Sequence, residues 1–178
     1  MKISAKTPVV ITVLTASLAM VALGRVTPQA PPEETISGTI TATRIINQNA
    51  RLTGDVTCTV TGVSCIQFGA SSIALNLNGF TVTGLGDPLT GCPDGPVAAE
   101  FGIDTAGRSD VSVQGPGLVQ QFRAQGVVVN GSARAKVVSV TASTNCGSGI
   151  FLAGSTDSLI EGNLLVKNGR LAATCGGV

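Results

Sequence analysis

From Thr35 onward, short apolar runs alternate with Thr, Ser, Asn and Gly, and within many runs every second residue is apolar. Ile73-Ala74-Leu75-Asn76-Leu77 and Val111-Ser112-Val113 show the period of two that predicts half-buried strands. No stretch of 10 or more residues after the N-terminal run carries helical spacing; residues 118–123 come nearest, and Gly-Pro-Gly precedes them. The pattern predicts an all-β chain of short strands separated by turn residues.

One phrase is written twice within residues 126–163. Gly126 and Gly149 are each followed by a branched apolar residue (Val127, Ile150), by a second apolar residue two places on (Val129, Leu152), by Gly-Ser, and by another apolar run around Val137 and Ile160. The two glycines are 23 residues apart, and Gly102-Ile103 stands 24 residues before Gly126. A unit of this size cannot bury its own apolar face, whereas stacked units can, each strand pairing with its equivalent one unit away. The reading is a parallel β-helix over residues 35–178. Ile103, Val127 and Ile150 then form one internal column, and Thr105, Val129 and Leu152 a second. Asn78-Gly79, Asn130-Gly131 and Asn168-Gly169 suit turns with a left-handed residue. A sandwich or barrel explains short strands equally well but not the repeated phrase. Residues 85–101 interrupt the repeat as an insertion, and Gly177-Val178 opens a further unit, so the C-terminus reads as incomplete.

Composition narrows the function classes. Charged residues make up 12% of the chain, the formal net charge is +1, and Trp, Tyr and His are absent, which argues against a nucleic-acid surface. Absence of His removes a Ser-His or Cys-His dyad and imidazole metal ligation. Lys2, Lys6 and the apolar run over residues 9–23 read as a signal peptide cleaved after Gly24, followed by a flexible Pro-rich lead-in over residues 25–34. The protein is therefore expected to be secreted or periplasmic, free of the membrane after cleavage, and monomeric, with edge pairing if the C-terminus is truncated. Export lets the five cysteines pair. Cys58 and Cys65 flank the turn at Thr61-Gly62 and are the favoured bridge; the connectivity of Cys92, Cys146 and Cys175 stays open.

The stretch SSIALNLNGFTVTG (residues 71–84) resembles the LDLNGHTITG phrase of right-handed parallel β-helix proteins, which include the pectate-lyase-like superfamily and the NosD-type β-helix domain. VSVQGPGLVQQF, GVVVNGS and GNLLVKNG are similar to the same family language, and the resemblance runs over residues 53–178. It implies a right-handed β-helix of about 5–6 coils. Phe80 and Asn76 depart from the family's His and Asp, and such proteins usually have more coils. The resemblance also implies action on acidic polysaccharides: lyases holding Ca²⁺ between clustered carboxylates, or hydrolases working through a carboxylate pair.

Two groups of residues could carry such chemistry. Asp110, Arg134 and Asp157 each fall eight residues after a repeat glycine, so stacking makes them a column of alternating charge. That column is either a saccharide- or cation-binding strip or, as the commoner arrangement, a solvated salt-bridge ladder. The insertion carries Asp87, Asp94 and Glu100, oxygen donors for a hard cation such as Ca²⁺, although their spacing matches no calcium loop. No other cofactor is expected. The resulting expectation is an exported protein that binds polysaccharide or another extracellular polymer without evident catalytic groups. A polysaccharide lyase or hydrolase, and a structural or adhesive surface module, are the alternatives.

Overall fold

The computed structural model describes residues 32–86, 92 and 99–169. The signal-peptide reading of residues 1–24, most of the lead-in, Asp87, Asp94, Cys175 and the Gly177-Val178 unit lie outside them. Every element among the described residues is a strand. The chain opens with β1 (Glu34–Ile40), β2 (Arg44–Ile46) and β3 (Ala50–Cys58). Sets of three then recur: β4 (Ile66–Phe68), β5 (Ala74–Asn76) and β6 (Thr81–Thr83); β7 (Ile103–Asp104), β8 (Ser112–Gln114) and β9 (Leu118–Gln120). They continue with β10 (Val127–Asn130), β11 (Lys136–Val138) and β12 (Thr141–Ser143), and with β13 (Ile150–Ala153), β14 (Leu159–Glu161) and β15 (Leu164–Val166).

Each set gives one strand to each of three parallel stacks. One is the sheet β2-β4-β7-β10-β13. The second, β5-β8-β11-β14, and the third, β6-β9-β12-β15, meet at the long strand β3, whose first residues pair with β5 and whose last pair with β6. β1 lies against β3 as well, making one ten-stranded sheet. All these pairings are parallel, an arrangement compatible with a parallel β-solenoid.

The alternation in the sequence explains the core. Ile66, Ile103, Val127 and Ile150 are in register and buried, as the repeat requires. Leu75, Val113 and Val137 form a second buried column that continues to Ile160, and Val82, Val119 and Ala142 a third that continues to Leu165. The column expected of Thr105, Val129 and Leu152 holds only in part. Thr105 and Val129 are buried and Val129 pairs with Leu152, but Leu152 is 44% exposed. It sits on the outermost strand of its stack, where no described strand lies beyond it. Thr105 also brings a hydroxyl inside, satisfied by the Ser132 hydroxyl at 2.7 Å.

Turn chemistry repeats with the strands. Gly107, Gly131 and Gly154 share the left-handed conformation one repeat apart, and Asp110, Arg134 and Asp157 do the same at φ 58°, 55° and 52°. The last three place ordinary side chains in a region that favours glycine, so neighbouring turns hold one another there through main-chain bonds: the Asp110 N–H donates to Ala133 O and the Arg134 N–H to Thr156 O. Asn145 is fully buried and fills a similar role at another turn. Its carboxamide accepts from the Phe122 N–H and donates to Val119 O and to Asn168 Oδ1, while Asn168 donates to Ala142 O.

Two disulfides are present, Cys58–Cys65 and Cys92–Cys146. The first is the bridge expected across the bend at Gly62. The second ties the insertion to the turn after β12. Paired cysteines fit an oxidising compartment. No helix among the described residues is long and apolar enough to cross a membrane.

Candidate functional site on the outward face of the second stack

On β8, Val113 points inward, so Ser112 and Gln114 point out; on β11, Val137 points inward, so Lys136 and Val138 point out. The left-handed turn residues Asp110 and Arg134 stand two positions before Ser112 and Lys136, at the same edge of this face, with Asp157 one repeat further. Parallel register thus turns an eight-residue offset in sequence into adjacent side chains in space.

A groove of about 370 Å³ is lined by Asp110, Ser112, Gln114, Arg134, Lys136 and Asp157. A second hollow of about 270 Å³ shares Ser112, Gln114 and Lys136 and continues to Gly115, Val138 and Ser139. The two adjoin along Ser112, Gln114 and Lys136 and make one trough of mixed polar and apolar lining that crosses consecutive strands. Within it Gln114 Nε2 donates to Ser112 Oγ at 2.9 Å.

The charge column is real but unevenly paired. Arg134 Nε and Nη2 donate to the two carboxylate oxygens of Asp110, each at 2.6 Å. These hydrogen bonds, with the positive charges of Arg134 and Lys136, hold the Asp110 carboxyl below the ordinary aspartate pKa, against a smaller opposing effect of burial. The same bonds raise the Arg134 pKa, and Asp157 adds to it through space. Asp157 and Lys136 make no ion pair among the described residues. One end of the ladder is closed on itself, and the other offers an acceptor and a donor to solvent.

This arrangement suits hydrogen bonding better than acid–base catalysis. Asp110 is kept ionised and is a poor general acid. Asp110 and Asp157 are two strands apart, about 10 Å at normal strand spacing, with a guanidinium between them. Glycosidic carboxylate pairs stand roughly 5–9.5 Å apart around an open position. Of the other described carboxylates, Glu161 on β14 lies on the same face, in register with Val138 and Gln114 and one strand beyond the trough, and it lines neither hollow. Asp104 lies on β7 in another stack, where its oxygens accept from Ser64 Oγ and from the Ala106 N–H.

Glu100, read from sequence as part of a loop cation site, is buried and already satisfied. Arg123 Nε and Nη2 donate to its two oxygens, each at 2.5 Å, and the Gly62 N–H donates to Oε1 at 2.7 Å. Asp87 and Asp94 lie outside the described residues. Among the described residues no group of three or more His, Cys, Asp or Glu side chains is placed to hold a metal ion.

Ser112, Gln114 and Lys136 line the candidate site and were not singled out by the repeat pattern. The signal was present: each shares the outward parity of its strand, and Ser112 and Lys136 follow the charge column by two. Compared with models of protein families, with curated proteins and with solved structures, the chain matches none.

Proposed function

We propose that this is an exported, right-handed parallel β-helix protein whose β8–β11–β14 face binds a polysaccharide or another hydroxyl-rich extracellular polymer. The observation that carries this reading is the open trough lined by Asp110, Ser112, Gln114, Arg134, Lys136 and Asp157, which runs across successive strands rather than ending in a closed pocket. A polymer laid along the stack meets a fresh strand about every 4.8 Å, with Ser112 and Gln114 on β8, Lys136 on β11 and the turn residues Asp110, Arg134 and Asp157 beside them. Arg134 and Lys136 supply donors, Asp110 and Asp157 acceptors, and Ser112 and Gln114 both. Positive and negative groups balance in the trough, which favours neutral hydroxyl-rich chains over strongly acidic ones. Right-handed crossover is the general rule for parallel strands joined within a sheet.

The experiment is retention of the purified protein on a panel of immobilised neutral and acidic polysaccharides. Retention on at least one neutral polysaccharide is expected. Lys136→Glu and Arg134→Glu should each weaken it tenfold or more, since a hydrogen bond to a charged group contributes about 1.5–3 kcal/mol. Lys167→Glu, beyond β15 in the third stack, should leave it unchanged. Failure of the whole panel, or equal retention of the Lys136 variant, would sink the proposal.

A further inference from the structure

One turn asparagine is used differently from the others. Asn78, Asn145, Asn163 and Asn168 each donate from the side-chain amide to a main-chain carbonyl, those of Leu52, Val119, Val137 and Ala142 in turn. Asn130, at the end of β10, enters the hydrogen bonds of the described residues through its main chain. Its N–H donates to Thr105 Oγ1 and its carbonyl accepts from the Ser132 hydroxyl. Val127 and Val129 point inward, so Asn130 stands on the outward side of the strand end, where it is exposed.

The next repeat shows that the turn does not need this side chain. Ala153 is in register with Asn130. Gly131 and Gly154 follow, with φ of 61° and 57°. Ser132 Oγ donates to Asn130 O at 3.3 Å and Ser155 Oγ to Ala153 O at 3.2 Å, the same bond one repeat apart. Glycine and serine build this turn, and alanine serves before them as well as asparagine does. The fold accounts for Gly131 and Ser132 and leaves the Asn130 carboxamide without a structural task.

The same three residues carry a modification signal. Asn130-Gly131-Ser132 is Asn-X-Ser with X other than proline, and no other asparagine in the chain has Ser or Thr two places on. We propose that Asn130 carries an N-linked glycan attached during export. The inference rests on the export reading, which the two disulfides support. A transferase of the secretory compartment moves an oligosaccharide from a lipid-linked pyrophosphate to Asn130 Nδ2. A C–N bond forms between the anomeric carbon and Nδ2, the bond from that carbon to the pyrophosphate oxygen breaks, and one amide proton leaves with the lipid pyrophosphate. No oxidation or reduction is involved. Ser132 sets the timing. The transferase reads the serine hydroxyl, yet in the fold Ser132 is 2% exposed and its hydroxyl is bonded to that of Thr105 at 2.7 Å. Transfer therefore comes before this repeat packs on its neighbours. Afterwards the sugar stands in solvent, where a bulky, soluble substituent displaces no packing.

The test expresses the full chain in a host whose secretory pathway carries this transferase, and compares protein from the medium before and after an amidase that releases N-linked glycans. A single-glycan mobility shift that collapses on digestion is expected. Digestion in heavy-oxygen water should leave a labelled aspartate in place of Asn130 in the peptide map, absent from a mock digest, which separates glycan release from spontaneous deamidation. Asn130→Ala copies Ala153, so this variant should be exported with an unchanged circular dichroism spectrum and no shift. Exported protein with an unmodified Asn130, or a shift that survives Asn130→Ala, would overturn the proposal. Protein found only inside the cell would overturn the export reading and this proposal with it.

Discussion

Removing the Cys92–Cys146 disulfide should lower the unfolding free energy by about 4 kcal/mol, the chain-entropy cost of leaving a loop of this length open in the unfolded state. The bridge spans 54 residues, against 7 for Cys58–Cys65, for which the same relation yields only about 2–3 kcal/mol. Urea denaturation of a Cys92→Ser/Cys146→Ser double variant beside the parent protein measures it. The unfolding midpoint should fall with little change in slope. A difference under about 1 kcal/mol would mean that the insertion is not anchored to the turn after β12 as described.

Arg123→Ala should cost about 3–5 kcal/mol, because it strands the Glu100 carboxylate in a buried position. The pair is asymmetric: the Glu100 side chain is 6% exposed and that of Arg123 28%. Loss of the guanidinium therefore leaves the more costly partner behind. Replacing both residues, as Glu100→Gln with Arg123→Met, should recover most of the loss, since the amide oxygen still accepts the Gly62 N–H. Denaturation of the single and double variants distinguishes this from a simple packing defect, in which the double variant would be worse than the single one.

Much of the fold was legible because parallel stacking converts sequence period into spatial neighbourhood. Gly102, Gly126 and Gly149 mark equivalent positions, and every residue at a fixed offset from them falls into one column. That logic found Ile103, Val127 and Ile150, and it found Asp110 beside Arg134. It stopped short at Lys136 and Ser112, which required carrying strand alternation outward from the charged turn. It also passed over Arg123, which stands 23 residues after Glu100, a repeat length that the insertion obscures. Residue type alone made Glu100 a candidate cation ligand, whereas its carboxylate is held in a buried ion pair with Arg123.

Other features carry no periodic signal. β1 and the long β3 lie before the first repeat glycine, and nothing in their residues announces that one strand will serve two stacks. The Cys92–Cys146 pairing joins the insertion, which lies outside the repeat pattern, to a turn within it, so spacing says nothing of it. The exposure of Leu152 follows from its place on an outermost strand, which its apolar, repeat-matched character conceals. Pattern reports which way a residue points, and only the neighbouring strand decides whether it is covered.

The central claim is that the outward face of β8, β11 and β14 receives the polymer. Its most direct measurement is a map of backbone amide shifts on titrating a soluble oligosaccharide cut from a retained polysaccharide. Saturable shifts are expected at Ser112, Gln114, Arg134, Lys136 and Asp157, with the amides of β4 and β6 unmoved. Shifts confined to the β2–β4–β7 or β6–β9–β12 faces, or none at saturating ligand, would contradict it.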